Sequence, residues 1–422
     1  MRSYVSFGKY NKSYKHIWYY AITKLAYDYF LDSFFVEKVE LLKYIFPKSF
    51  LIQEGFNYLG VFICSIFLLK YEKISGQIKS SLMENKNLFA SFLIVIIFLF
   101  ITIQSFKFIS FFRLGALNYW MFEILFIAIL SSKLLGVPIY KHRKFGIIII
   151  SVLSFIFKIL STIYSLYDDD EQKIYIKYYW IVFIGITFSI LMTLLRSYTF
   201  CKMKILFDKL ILPSEILILS SFLGIFVNFI VSIIPSNYPC TNDYNNLKDD
   251  SFKDDFIKFI CQVRESNSTV LYFESYSIYF KELLKNNILL IILFIFKIGI
   301  YFCNKLFFIY IIKNLSAEFI VCANSITFSL VELFDLLYIF FTKTEFNLYK
   351  FFSAITQLSC LLGSIIYLEL IKFHFCELDH DLNKNIQDRA VSESIIVIDD
   401  IDVDDDDDDS EVLRENPVNF IN

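Results

Sequence analysis

Glycine and proline are scarce in this chain, at 11 and 6 of 422 residues. No GxGxxG and no other phosphate-cradling glycine loop occurs, which removes the usual sequence basis for nucleotide binding. The four histidines, at 16, 142, 374 and 380, are scattered and accompany no CxxC pair or Cys/His ligand cluster. Neither a metal site nor a cofactor is therefore expected. No basic face stands out, so nucleic acid is not an expected partner. With no nucleophile–base pairing and no ligand set, the chain is not expected to be an enzyme. A cleavable leader is not expected either, because the N-terminus is polar and the first apolar stretch lacks a small-residue cleavage site.

Apolar residues are what the chain has in excess. Phenylalanine occurs 50 times, 56% of residues are hydrophobic, and mean hydropathy is +0.55. A soluble chain of this length cannot hide that much apolar surface. A bilayer can, provided each crossing segment is a helix that satisfies its own backbone polar groups. The expected fold is all-α and polytopic, with the lipid bilayer as its first partner.

Ten apolar stretches read as membrane spans, at 17–36, 50–69, 88–106, 114–135, 145–166, 178–195, 211–234, 288–312, 318–341 and 351–371. Most have the ~20 residues that a hydrocarbon core requires. The first carries Lys24, Asp28 and Asp32. It reads either as a span or as an amphipathic helix at the interface.

An even number of spans puts both termini on one side. With that side cytosolic, the inner segments hold 16 Lys+Arg and the short outer loops nine, the bias the positive-inside rule asks for. The domain plan is then a cytosolic N-terminus over 1–16, a transmembrane domain over 17–376 and an acidic tail over 377–422. The long loop 235–287 faces a lumen or the exterior. It contains Cys240, Cys261 and the sequon Asn267-Ser268-Thr269, so a Cys240–Cys261 disulfide and a glycan on Asn267 both fit that side. The alternative for this loop is a plain polar linker with two thiols.

The tail includes the unbroken run Asp404–Asp409 and too little apolar sequence to order itself. Its patch at 394–400 fits either strand addition to a cytosolic partner or a solvated acidic tail.

The spans divide five and five. Each half runs through a charged linker, a helix, a polar hinge and a closing helix with a small residue: Lys107, Arg113, Glu123, Lys141–Lys144 and Gly146, then Lys313, Glu332, Lys343, Lys350 and Gly363. An odd number of spans per half makes the halves inverted copies. That is a recurring plan for secondary transporters, with the substrate site near the midplane between them.

Ionisable groups within spans are costly, and persist where they face protein, water or a partner. Glu123, Lys158, Lys297 and Glu332 sit well inside, and Asp335 lies nearer the end of its span. On a helical wheel Asn324, Glu332 and Asp335 fall within an arc of about 80°. Lys297, Tyr301 and Asn304 share one face of the preceding span. The candidate substrate-binding set is therefore Glu123, Lys297, Asn324, Glu332 and Asp335. These two stripes are expected to face each other or a shared cavity. Glu332 and Asp335 then bind a cation or cycle a proton, or else Lys297 and Glu332 form a structural ion pair.

Several segments bear a family resemblance. Ser49-Phe50, Glu54 and Asn57 open the second span, Gly363-Ser364-Ile365-Ile366-Tyr367 lies in the last, and a long cysteine-bearing loop joins the seventh and eighth. Over most of 17–375 the chain resembles the drug/metabolite transporter superfamily, closest to its chloroquine-resistance-transporter-like branch. That branch carries more cysteines in the loop than the two found here. The resemblance implies a carrier in a vacuole or other lysosome-like endomembrane, with a small organic solute such as an amino acid, peptide or cationic compound as cargo. Proton coupling would follow from the buried acids. The alternative in a different class is a non-transporting receptor or scaffold acting through the luminal loop and acidic tail.

Overall fold

A computed structural model of the chain describes residues 5–7, 15–27, 50–74, 86–110, 122–136, 139–160, 179–209, 211–236, 261–263, 270–272, 288–342 and 348–373. These residues are helical apart from two short ribbons. The helices are α1 (Lys15–Leu25), α2 (Phe50–Ile74), α3 (Lys86–Ser110), α4 (Glu123–Leu134), α5 (Lys141–Ile148), α6 (Tyr179–Asp208), α7 (Pro213–Ser236), α8 (Ile288–Asn314), α9 (Glu318–Thr342) and α10 (Leu348–Tyr367). Helix α5 continues through a π-helical turn at Ile149–Leu153 and on to residue 160. Each helix overlaps one of the ten apolar stretches. Three are long and apolar enough to cross a membrane among the described residues: Phe183–Asp208, Pro213–Val231 and Ile291–Asn314. Asn87–Ile103 and Phe351–Tyr367 are shorter apolar helices.

Local chemistry sets several boundaries. Pro213 occupies the first helical position of α7, where its missing N–H costs nothing. Two residues later Glu215 reaches back, and its Oε2 accepts from the Leu212 N–H at 3.2 Å, closing half a capping box. Helix α4 ends at Leu135, and Gly136 follows at φ +67°, the left-handed turn that glycine adopts without a Cβ penalty.

Inside the apolar helices, buried hydroxyls bond to their own backbone one turn earlier. Ser65, Thr193, Ser325 and Ser364 each donate to the carbonyl four residues back. That satisfies a polar group without water, as a membrane interior requires. Large apolar side chains meanwhile cover the outside of the bundle; Phe183 is 73% exposed, and Phe67, Phe229 and Ile295 are similarly open. In water such a surface would aggregate, whereas against acyl chains it is the expected exterior.

The two ribbons are three residues per strand. Strand β1 (Val5–Phe7) pairs antiparallel with β4 (Ile371–Phe373), in the register Val5↔Phe373. The segment leading into α1 and the segment leaving α10 therefore lie side by side. Strands β2 (Cys261–Val263) and β3 (Val270–Tyr272) form a hairpin within the long loop.

The helix pairings form a regular pattern. Helix α2 packs on α7, and α5 on α10. Helix α1 packs on α8 and α9, while α6 packs on α3 and α4. Helix α8 also meets α2, and α3 meets α7. Exchanging each helix for the one five places away returns these same pairings, whereas the close α9–α10 packing has only a slight counterpart among the described residues, between α4 and the π-helical turn after α5. At the α5–α10 crossing, Gly146 and Gly363 bring the backbones together: a Cβ on either would lie 2.9 Å from the other's carbonyl oxygen. Further along, Ser154 Oγ and Cys360 Sγ meet at 2.9 Å.

Candidate functional site

Helix α1 enters the bundle between α8 and α9, burying Ile17, Tyr20 and Ala21. It packs as part of the bundle rather than lying flat beside it. One face of α1 and of the π-helical turn that follows it carries Tyr20, Lys24 and Tyr27, spaced i, i+4 and i+7. Each meets a polar group from a neighbour. The Tyr20 hydroxyl and the Lys24 ammonium both donate to Asn324 Oδ1 on α9, at 3.0 and 2.7 Å. Lys24 Nζ also lies 4.5 Å from the centre of the Phe328 ring. Asn304 on α8 donates to the Tyr20 carbonyl at 3.2 Å and to Thr23 Oγ1 at 3.3 Å.

Lys297, on α8, is 2% exposed, and its ammonium sits 5.1 Å from the centre of the Tyr27 ring. The Tyr27 hydroxyl in turn accepts from Asn57 Nδ2 of α2 at 2.6 Å, and its ring lies 5.1 Å from that of Tyr301. The expected stripe of Lys297, Tyr301 and Asn304 is thus a coherent polar face, directed at α1. Helix α1 takes partners from this face and from Asn324 on the α9 stripe.

Glu123 opens α4 and is 1% exposed. Arg196 of α6 brings Nε to 2.9 Å from Glu123 Oε1. The approach is charge to charge: neither carboxylate oxygen is in hydrogen-bonding geometry with any described group. Ser197, next to Arg196, donates to the Glu123 carbonyl at 3.3 Å and ties the same two helices. Lys24 also lies within electrostatic reach of the Glu123 carboxylate.

The Glu123–Arg196 and Asn324–Lys24 contacts are related. In each, a cation, on α6 or on α1, reaches a polar group on a second helix, α4 or α9. They sit at the α6–α4 and α1–α9 crossings, which exchange under the five-helix shift. These two crossings and the Lys297–Tyr27 contact make a polar interior, one of several places where the bundle buries polar groups, His142, Asn228 and Glu72 among the others. A charge there costs about 2.5–3.5 kcal/mol on insertion scales, so it needs such partners to persist.

Glu332 is placed apart from this group. Its Oε1 accepts from Ser353 Oγ of α10 at 2.7 Å, and Lys158 on the extension of α5 lies within electrostatic reach of its carboxylate. The Asp335 side chain is outside the described residues, as are Cys240, Asn267 and the tail after Phe373. Cys261 is the first residue of β2. The five cysteines described within helices, Cys64, Cys201, Cys303, Cys322 and Cys360, are free thiols.

Of the five candidate residues, the structure therefore brings Glu123 and Asn324 to related crossings, turns Lys297 of α8 toward Tyr27, and sends Glu332 to a separate contact, while the Asp335 side chain lies outside the described residues. Arg196, Lys24, Tyr20 and Tyr27 were not candidates. Their signal was present as a helical spacing on α1 and as an ionisable residue one position beyond the sixth apolar stretch. No protein-family model matches the chain, and comparison with curated proteins finds no match.

Proposed function

We propose that the chain is a secondary transporter that moves a small organic solute by alternating access, with ten membrane-crossing helices in two inverted five-helix repeats. The observation that carries this reading is the exchange pattern: helix pairings repeat under a five-helix shift, and the equivalent crossings α6–α4 and α1–α9 both hold ionisable or polar groups at the contact between halves. Inverted repeats of this kind bind their cargo where the halves meet. The paired β1 and β4 ribbons support an even number of crossings.

The cargo site in this reading is the polar interior around Glu123, Lys297 and Asn324, with Glu332 and Asp335 on the α9–α10 side. The cargo class implied by the resemblance to the drug/metabolite transporters is an amino acid, peptide, cationic metabolite or drug, moved with protons through the buried acids. Both ends of the chain face the cytosol, and the membrane is a vacuole or lysosome-like endomembrane. The loop 235–287, with a Cys240–Cys261 bridge and a glycan on Asn267, lies in the lumen.

Glu332→Gln tests the acid's part. In reconstituted vesicles the variant is expected to insert as wild type does and to lose solute flux. Flux equal to wild type removes Glu332 from the transport cycle.

A further inference from the structure

Arg196 meets Glu123 through Nε alone. Its Nη donors find no acceptor among the described residues. The guanidinium carbon lies 5.5 Å from the centre of the Phe200 ring, which supports one face of the plane and leaves its edge open. The side chain keeps 27% of its surface, whereas the carboxylate it touches keeps 1%.

A guanidinium is a planar fork whose terminal donors match two oxygens of one carboxylate or phosphate. Here the fork is held from behind by Glu123 and Phe200, and its outer edge is unfilled. Glu123 also lies within electrostatic reach of Lys24 on α1.

We propose that Arg196 is an oxyanion anchor, so that the cargo is a small organic solute bearing a carboxylate, phosphate or sulfate group, bound at the Nη edge while Glu123 keeps Nε. The proposal rests on the carrier reading for its biological meaning and narrows that reading to anionic or zwitterionic solutes. Glu123 acts in it as a positioning residue that fixes the guanidinium plane.

The test uses the full-length wild-type protein in nanodiscs of phosphatidylcholine. Phenylglyoxal modifies accessible guanidinium groups, and peptide mass mapping gives the rate at Arg196. The probes are acetate, pyruvate, inorganic phosphate and inorganic sulfate at millimolar concentration, with chloride at matched ionic strength as control. Arg196 is expected to react, and at least one oxyanion is expected to slow it threefold or more while chloride does not. No reaction at Arg196, or a rate indifferent to all four probes, overturns the proposal. Discs containing phosphatidylglycerol separate a lipid headgroup from a solute: protection by that lipid with none from the soluble probes also overturns it. Because the readout is binding, protection without solute flux contradicts carriage and leaves the anchor standing, whereas flux without protection does the reverse.

Discussion

Gly146 and Gly363 touch backbone to backbone at the α5–α10 crossing, each occupying the space a Cβ on the other would need. A Cβ at 363 would first meet the Ile150 side chain at Cγ1, and one at 146 would also meet Tyr367 Cβ, but at both positions the other glycine's carbonyl oxygen and an amide nitrogen, of Ile150 or Tyr367, lie close as well and cannot rotate aside. Gly146→Val and Gly363→Val are therefore expected to force the helices apart, at the cost of about 1–3 kcal/mol typical of overpacking. Gly299 on α8 has nothing within 4 Å of its would-be Cβ. Gly299→Ala is expected to be neutral or to gain about 0.5–1 kcal/mol from helix propensity. Thermal unfolding of the purified variants in one detergent checks the contrast; equal losses at all three positions would contradict the close crossing.

The Glu123–Arg196 contact predicts non-additivity. Removing one partner strands the other charge away from water, typically a loss of 3–5 kcal/mol. Glu123→Gln and Arg196→Gln are each expected to destabilise strongly. The double variant is expected to recover most of the loss, because it leaves no orphaned charge. A double-mutant cycle on unfolding free energies measures this coupling. Additive losses would show that the two side chains do not depend on each other.

These residues also mark how far the sequence could be read. The helices were legible because a helix in lipid must be apolar along nearly its whole length: each of the ten apolar stretches overlaps a described helix, and three of those helices are long and apolar enough to cross a membrane. Glu123 and Asn324 were legible because a polar group inside such a stretch is expensive. Arg196 was not, since the sixth stretch stops at residue 195 by hydropathy while α6 runs on to Asp208. Its charge therefore read as part of a loop. Lys24 read as an argument against a span, whereas α1 uses it to reach Asn324. The partner of Lys297 was not legible either. Periodicity gives the face of α8 that is polar, but which helix covers that face depends on how α1 inserts, and that is set by tertiary packing.

The β1–β4 pairing predicts where the ends lie. Single cysteines placed at Ser6 and at Lys372, in a variant otherwise free of cysteine, are paired positions in the ribbon. They are expected to react with a membrane-impermeant maleimide from the same side of sealed vesicles, and to cross-link to each other on oxidation. Labelling from opposite sides would contradict an even number of crossings.

The long loop and tail give a further pair of outcomes. Endoglycosidase treatment is expected to shift the wild-type protein on a gel and to leave Asn267→Gln unmoved. Deleting 377–422 is expected to preserve solute flux, since the described polar interior contains none of those residues. A tail-less protein that inserts normally but loses function would favour a scaffold that recruits a cytosolic partner.

Solute uptake is the most direct measure of whether the polar interior around Glu123 and Asn324 carries cargo. Vesicles containing the purified wild-type chain, loaded from a mixture of small organic solutes and read by mass spectrometry, are compared with protein-free vesicles and with the Glu332→Gln variant. At least one solute is expected to accumulate in the wild-type vesicles alone. Identical contents in all three would contradict carriage.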